Sequence, residues 1–251
     1  MARHRRSGDK GPFRAEQLRE GDEYELSRGY PRWAAPQGGR GSQANLVGGA
    51  VVDSDPDVDA AGVDTGFSPE PATLRAPDVA VGNVPSEPGW VGGAPQLALE
   101  YADTGQDEAK LQEKIQDLLE AGTRVVWVAR LVGPRRVEVY TAGAPVHVVS
   151  PGEELRAPGI LRNAVPVDAL FDRVAAHETV LRNLLQRRGY ASLDAVRAEG
   201  EARALLGLLA ARGLAVTEAQ RQRITGCTDP ATLERWVARA VTAATVDEAL
   251  A

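Results

Sequence analysis

The stretch from residue 75 to residue 129 constrains the fold of this chain more than any other. Its apolar residues alternate in two short segments, recur with helical spacing in a third and run without interruption in a fourth. These patterns predict strand, loop, strand, helix and strand in that order. The last strand, 125–128, is an apolar run typical of a strand covered on both faces. The sequence therefore predicts an α/β domain.

Three side chains with chemical potential fall at defined places in this stretch. Asp78 lies early in the first strand, Glu100 near the end of the second, and Lys114 on the helix. Carboxylate oxygens are suited to a hard divalent cation, which lowers the pKa of a bound water and neutralises phosphate charge. An amine can stabilise the nucleophile or the charge of the transition state. Together these groups are what a metal-dependent phosphodiesterase needs.

The predicted helix 109–121 carries two lysines that could serve such a site. Its apolar face ends before Gly122, a residue typical of a helix C-terminus. At about 100° per residue, Lys114 falls at the margin of the apolar face and Lys110 falls further towards solvent. Lys114 is therefore the catalytic candidate and Lys110 the reserve. The alternative is that Lys114 is an ordinary lysine extending along the edge of an amphipathic helix.

The segments before this stretch are less regular. Residues 1–12 form a basic, glycine-containing segment that we expect to be a flexible tail. Residues 24–26 and 31–35 predict two strands joined by a turn, and 43–52 could be helix or strand, since two adjacent glycines weaken a helix. Alternating aspartates in 53–73 are compatible with a calcium loop but lack the glycine and glutamate of an EF-hand. A solvated connection is the favoured interpretation there.

The composition changes after Asp172. Residues 137–141 and 146–149 still alternate as strands and complete a domain spanning 13–172. From 173 to 251 the chain is rich in Ala, Leu, Arg and Glu, and its apolar residues recur with helical spacing. This part predicts an all-helical C-terminal module of four or five helices.

The cysteine count, the hydropathy and the net charge exclude some classes of protein. Cys227 is the single cysteine, so disulfides within the chain and cysteine-based zinc sites are excluded. No apolar run approaches membrane-spanning length and no secretory signal is recognisable, so we expect a cytoplasmic protein without membrane contact. The net charge of −6 means that any contact with nucleic acid depends on a local patch.

Several of these segments together resemble a known family. They are 24–29, 74–81, the strand ending in Glu100, 111–122 and 125–128. In order and spacing they are similar to the Uma-type "putative restriction endonuclease" family of the PD-(D/E)xK nuclease superfamily. The resemblance implies a restriction-endonuclease-like fold, in which a central mixed β-sheet is flanked by helices.

The resemblance also implies roles for individual residues. Asp78 and Glu100 would bind Mg²⁺ or Mn²⁺, and Lys114 would be the lysine that has moved from the strand to the helix. Glu25 would be a further acidic ligand or a surface carboxylate. DNA would be the substrate, a homodimer is expected by analogy with cleavage of both strands, and the helical module could contact a protein partner.

Two hypotheses follow from these observations. The first is a Mg²⁺-dependent DNA endonuclease that hydrolyses phosphodiester bonds. The second is a catalytically inactive nuclease-like domain that binds nucleic acid or assembles proteins. Two departures from the family favour the second: no lysine follows Glu100 by two residues, and 39–43 lacks a histidine common in the family. An amine of Lys114 within about 4–6 Å of both carboxylates would favour the first.

Overall fold

A computed structural model describes residues 11–105 and 107–251 of the chain. The basic tail predicted for 1–12 lies outside the described residues except for its last two. The described chain forms two compact units, of which the first ends at Asn183 and the second is Leu184–Ala251. Each unit is described by itself.

The secondary structure confirms the predicted alternation of strands and helices. The strands are β1 (Tyr24–Ser27), β2 (Tyr30–Trp33), β3 (Ala61–Val63), β4 (Phe67–Ser68), β5 (Val79–Val81), β6 (Val91–Gly92), β7 (Leu97–Ala102), β8 (Val125–Arg130), β9 (Arg136–Tyr140), β10 (His147–Val149), β11 (Glu154–Leu155) and β12 (Val165–Pro166). The helices are α1 (Gly39–Asp53), α2 (Glu108–Glu120), α3 (Arg173–Arg187), α4 (Leu193–Ala211), α5 (Glu218–Thr225), α6 (Pro230–Ala240) and α7 (Val246–Leu250). Short 3₁₀ turns cover Ala15–Gln17 and Val167–Leu170.

A six-stranded mixed sheet forms the centre of the first unit. Its strand order is β10-β9-β8-β7-β5-β3. Strands β7 and β8 are parallel and all other neighbours are antiparallel. A parallel pair needs a long crossover connection, and α2 supplies it. The fold is therefore α/β with a central mixed sheet, as the sequence predicted.

Helices pack on both faces of this sheet. Val51 and Val52 of α1 join the larger core with Leu99 and Tyr101 of β7. On the opposite face the buried side chains of α2 pack against Ala98 and Ala102 of β7. Because strand side chains alternate between faces, Glu100 points to the same face as Ala98 and Ala102. The sequence pattern of β7 thus places Glu100 under the lysine-bearing helix.

The hairpin β1–β2 precedes the sheet in the chain. Ser27 pairs with Tyr30, so the turn is Arg28-Gly29. Arg28 has φ 50° and Gly29 has φ 80°, and two positive φ angles are the mark of a type I′ turn. A two-residue turn of this type fixes the register, so Glu25 and Ser27 face the same side of the hairpin. This hairpin was predicted from the sequence and is confirmed.

The acidic segment 53–73 differs from its prediction. We expected a solvated connection, but Ala61–Val63 pairs with β5 and forms an edge strand of the central sheet. Three residues without marked β-strand propensity do not predict a strand, and the pairing with β5 decides their conformation. Asp55 in this segment is buried and accepts hydrogen bonds from the backbone amides of Arg162 and Asn163, which is a structural role rather than an ion-binding one.

The second unit is helical, as predicted. Asp229 caps α6 by accepting hydrogen bonds from the amides of Ala231 and Thr232, and Pro230 occupies the first turn. The cap fixes where α6 begins and turns Leu233 and Trp236 into the core of the unit. Throughout the described residues, no helix has the length and apolar character needed to cross a membrane.

Helix α1 approaches β7 closely at Gly48. A Cβ atom at Gly48 would overlap the hydroxyl of Tyr101, which is buried and donates a hydrogen bond to the carbonyl of Leu170. The neighbouring Gly49 has room, because a Cβ there would lie 3.7 Å from Val63 and 3.8 Å from Val79. The two glycines that weakened the helix prediction are therefore not equivalent: Gly48 is required by packing.

This difference predicts opposite effects of two alanine substitutions. Gly48→Ala should destabilise the first unit by about 1–3 kcal/mol, the usual cost of overpacking. Gly49→Ala should be neutral or stabilising by up to about 1 kcal/mol, because alanine is the better helix former. Urea unfolding monitored by circular dichroism measures both. Equal effects of the two substitutions would contradict the close approach at Gly48.

Candidate functional site

The register of the central sheet brings three acidic residues together. Val79 of β5 pairs with Leu99 of β7, so Asp78, which directly precedes β5, lies next to Glu100 of β7. Val63 of β3 pairs with Val79, so Asp64, which directly follows β3, lies next to Asp78, and its backbone amide donates to the carbonyl of Asp78 at 3.4 Å. Asp64 has φ 52°, so the extended backbone of β3 ends before it. The pairing of neighbouring strands therefore brings the three acids close to one another.

Asp78 is buried and held by two hydrogen bonds. The backbone amide of Tyr101 donates to Oδ2 at 2.6 Å, and Nε2 of Gln37 donates to Oδ1 at 2.5 Å. Burial raises the pKa of Asp78, while Lys114 and these hydrogen bonds act in the opposite direction. The two hydrogen bonds therefore fix the orientation of a carboxylate that water does not solvate.

The amine of Lys114 lies among the acids. Its Nζ is 2.9 Å from Oε1 and 3.1 Å from Oε2 of Glu100, and 3.3 Å from Oε1 of Glu25. It also donates to the carbonyl of Ala76 at 2.7 Å. Lys114 influences Asp78 as well, since its charge lowers the pKa of that group. Lys114 thus contacts two of the predicted acidic residues and interacts electrostatically with the third.

The charges of this cluster are strongly coupled. Burial raises the pKa of Glu100 to about 8, with Asp78 and Glu25 adding to the shift and Lys114 opposing it. For Lys114, burial disfavours the ammonium, but the neighbouring Glu100, Glu25 and Asp78 outweigh it and raise the pKa above its usual value. Lys114 is therefore a permanent cation at neutral pH. Glu100 binds a proton more readily than an ordinary glutamate when no metal ion is bound beside it.

A second layer of charged residues holds Glu25 in place. The guanidinium of buried Arg75 donates to Oε2 of Glu25 at 3.0 Å and to Oδ2 of Asp117 at 2.6 Å. The hydroxyl of Ser27 donates to the same oxygen of Asp117 at 2.7 Å. These bonds tie the hairpin to α2. Glu25 is therefore not an isolated surface carboxylate but part of the buried network.

The structure brings together some of the sequence-derived candidates and not others. Asp78, Glu100, Lys114 and Glu25 converge on one position. Lys110 does not: its side chain is 59% exposed and its nearest acidic partner is Asp107 at 3.7 Å, on the outer side of α2. The helical spacing that separated the two lysines in the sequence thus gives the observed arrangement.

Two residues of the site were missed by the sequence reasoning. Asp64 falls in the acidic segment, where its neighbours along the chain hide it, and its relation to Asp78 depends on the pairing of β3 with β5. Burial and the proximity of Asp78 raise the pKa of Asp64. Gln37 lies just before α1 and donates a hydrogen bond to Asp78, 41 residues further along the chain. No sequence pattern points to this amide.

The donor atoms of the site suit a hard divalent cation. In the described part of the chain, no group of three or more His, Cys, Asp or Glu side chains surrounds a common metal position. Magnesium, however, is usually held by one or two carboxylates with water completing its octahedron. Asp78 and Glu100 provide such a pair, and the carboxylates of the cluster outnumber the single amine between them. The residues present therefore fit a magnesium ion.

The chain matches a model of a known protein family. The family model described as "Uma2: Putative restriction endonuclease" matches residues 13–168, which is more than half of the chain. The chain belongs to the Uma2 family. The resemblance inferred from the sequence is therefore confirmed, and Asp78, Glu100 and Lys114 all lie inside the region that the Uma2 model matches.

Comparison with solved structures supports the fold of this Uma2 member. A crystal structure described as a putative nuclease belonging to DUF820 from Anabaena variabilis ATCC 29413 superposes with a TM-score of 0.55. The sequences are 19% identical, and the alignment covers 68% of this chain and 100% of that chain. The likeness confirms the expected fold of the first unit. Comparison with curated protein sequences finds no match.

The raised pKa of Glu100 predicts a pH-dependent stability. Between pH 4.5 and about 8 the folded protein holds a proton on Glu100 that the unfolded chain has released. Stability contributed by this group is therefore lost as the pH rises through this window. Glu100→Gln should remove that part of the pH dependence, as measured by urea unfolding without divalent cations.

Glu113 provides the control for this experiment. Its hydrogen bond with Arg32 lowers the pKa of Glu113 to about 2, so its contribution is lost only as the pH falls below 4.5. Glu113→Gln should leave the slope of the unfolding free energy against pH unchanged between pH 4.5 and 8. If the unfolding free energies of wild type and Glu100→Gln change in parallel across that pH range, Glu100 is not the buried carboxyl that the structure indicates.

Proposed function

We propose that this chain is a Mg²⁺-dependent DNA endonuclease that hydrolyses phosphodiester bonds. The observation that carries the proposal is the position of Lys114, whose amine lies 2.9 Å from Oε1 of Glu100 and whose charge lowers the pKa of Asp78. The sequence alone left it open whether this lysine was an ordinary residue at a helix edge. A buried amine that is paired with one candidate metal ligand and electrostatically coupled to the other supports the endonuclease hypothesis.

Asp78 and Glu100 would bind the metal. Glu100 lies in β7 and Asp78 directly precedes the neighbouring strand β5, and two hydrogen bonds to Asp78 hold its oxygens in a fixed direction. A bound magnesium ion lowers the pKa of a water ligand and neutralises negative charge on the phosphate. Binding requires the ionised form of Glu100, so it displaces the proton that this carboxyl holds below about pH 8.

Lys114 would act as a cation and not as a base. Its raised pKa keeps the ammonium protonated, so it cannot accept a proton from water at neutral pH. Its contribution is electrostatic: a fixed positive charge in a poorly solvated position stabilises the negative charge that develops on the phosphate. Glu25, held by Arg75, keeps the amine directed towards the carboxylates.

The proposed partners follow from this chemistry. Family membership and the phosphodiester chemistry together support DNA as the substrate. Cleavage of both strands of a duplex would require two sites of opposite direction, which a two-fold symmetric homodimer supplies. The net charge of −6 means that attraction to DNA has to come from the bound metal and local basic groups, because the whole chain repels polyanions.

One observation favours the second hypothesis, a catalytically inactive nuclease-like module. The hydrogen bonds from Gln37 and Tyr101 occupy part of the acceptor capacity of Asp78, with one bond on each carboxylate oxygen. An ionised carboxylate has about four acceptor positions, and two are in use. A domain that had lost its metal could retain such a site as a structural network. Direct measurement of metal binding separates the two hypotheses.

Metal binding is tested with the single variant Asp78→Ala. Calorimetry with Mg²⁺ and with Mn²⁺ should show binding to the wild type and none that is measurable to the variant, because one of two ligands is lost. The same proteins are incubated with supercoiled plasmid and the nicked form is quantified. Absence of metal binding by the wild type would overturn the endonuclease proposal in favour of the inactive module.

The two lysines of α2 provide a matched test of catalysis. Lys114→Ala should reduce plasmid nicking by about 10²–10³-fold, the usual effect of removing a group that stabilises transition-state charge. Lys110→Ala removes an exposed lysine from the same helix and should keep nearly full nicking, since an exposed ion pair contributes little. Equal losses in the two variants would show that Lys114 has no special role.

A further inference from the structure

The amine of Lys114 has more acceptors around it than hydrogens to donate. An ammonium carries three donors. In the described chain at least four oxygens surround Nζ: the carbonyl of Ala76 at 2.7 Å, Oε1 and Oε2 of Glu100 at 2.9 and 3.1 Å, and Oε1 of Glu25 at 3.3 Å. Nζ donates hydrogen bonds to Ala76 and to Oε2 of Glu100. Glu25 and Glu100 therefore share one cation.

The two carboxylate oxygens of Glu100 are not equally satisfied. Within the described residues, Oε1 is buried and accepts no hydrogen bond, although Nζ lies 2.9 Å away. A buried carboxylate oxygen without a directed donor is incompletely stabilised. Oε1 is therefore the oxygen of Glu100 that another cation could bind with the least loss.

Lys114 and a divalent ion would compete for Glu100. Carboxylate oxygens bind magnesium at about 2.0–2.1 Å. Added to the 2.9 Å between Oε1 and Nζ, this distance places an ion on Oε1 at most about 5 Å from the ammonium. Two cations so close together in a poorly solvated site repel each other strongly. For both to remain in the site, the ammonium needs a carboxylate other than Glu100.

Glu25 is held in position to be that carboxylate. Its Oε1 faces Nζ, and its Oε2 accepts a hydrogen bond from the buried guanidinium of Arg75 at 3.0 Å. Arg75 also donates at 2.6 Å to Asp117 of α2, the helix that carries Lys114. The side chain of Glu25 is only 13% exposed, so water competes weakly for it. Glu25 is thus an anchored counter-ion beside Lys114.

We propose that Glu25 is a positioning residue, which holds the ammonium of Lys114 in the site when a divalent ion takes over Glu100. The inference rests on the proposed function, since it concerns the same cation position. The movement needed is small, because Nζ turns its donors from Glu100 to Glu25 and keeps its bond to Ala76. The positive charge stays beside the site, and Glu100 becomes available as a metal ligand. Glu25 acts through Lys114 and does not bind the ion itself.

The test is a double-mutant cycle on Mg²⁺ affinity, measured by calorimetry without DNA. Titrations at several pH values give the affinity at the limit where protons no longer compete for the carboxylates. Lys114→Met removes the competing cation at similar volume and should tighten binding by at least about 10-fold, because the repulsion is lost. Glu25→Gln leaves the ammonium dependent on Glu100 and should weaken binding by about 10-fold.

The decisive measurement is Glu25→Gln in the Lys114→Met background. There the substitution should weaken Mg²⁺ binding by less than about 3-fold, because the group through which Glu25 acts is gone. If Glu25→Gln weakens binding equally with and without Lys114, Glu25 acts on the ion directly and the positioning role is wrong. If Lys114→Met binds Mg²⁺ no more tightly than the wild type, lysine and ion do not compete, which also overturns the proposal.

Glu120 provides the control for net charge. It lies on α2, its side chain is 55% exposed, and it pairs with Arg28 at 3.7 Å. Glu120→Gln makes the same chemical change as Glu25→Gln and should alter Mg²⁺ affinity by less than about 2-fold, since exposed charges are screened. A loss as large as that of Glu25→Gln would mean that net charge explains both effects.

The outcomes separate this inference from the proposed function. If the wild type binds Mg²⁺ and the cycle shows no coupling, the proposed function stands and only the role of Glu25 is overturned. If the wild type binds no Mg²⁺ and Lys114→Met does, Glu25 does not hold the ammonium aside, and both proposals fail. Urea unfolding without metal checks the fold of each variant, and Lys114→Gln replaces Lys114→Met if the methionine variant does not fold.

Discussion

The buried amine of Lys114 is the interaction on which the rest of this site depends. Without a cation at this position, Glu100, Asp78 and Glu25 would place three carboxylates in a region that water hardly reaches. Like charges at that distance and in low dielectric cannot all remain ionised. Lys114 offsets part of this repulsion, and the excess of carboxylates that remains is what would attract a divalent ion. Stability and proposed chemistry therefore depend on the same charge balance.

The sheet geometry explains how so few elements create this cluster. Antiparallel pairing of β3 with β5 and of β5 with β7 brings Asp64, Asp78 and Glu100 close to one another. The parallel pairing of β7 with β8 requires a crossover, and the crossover helix α2 carries Lys114 to Glu100. The lysine is thus supplied by the element that the parallel pair requires. This explains how a lysine amine reaches Glu100 although no lysine follows Glu100 by two residues.

Helix α1 packs on the sheet through a small residue. Gly48 lets the helix approach β7 until it touches Tyr101, whose backbone amide donates a hydrogen bond to Asp78. A residue that lowers helix propensity is thus required by packing. In the buried network, Arg75 connects Glu25 of the hairpin with Asp117 of α2, so the hairpin and α2 are held together.

The sequence by itself determined the elements and the main candidates of the site. The alternation in β7, the apolar run of β8 and the helical spacing of α2 each depend on local patterning, so their order, the face of Glu100 and the difference between Lys114 and Lys110 could be predicted. Only the tertiary structure decided what depends on pairing between distant segments. Strand β3 and Asp64 gain their places by pairing with β5, and Gln37 reaches Asp78 only in the folded chain. Such contacts join residues that are tens of positions apart, and a side chain carries no local sign of a neighbour that only the folded sheet provides.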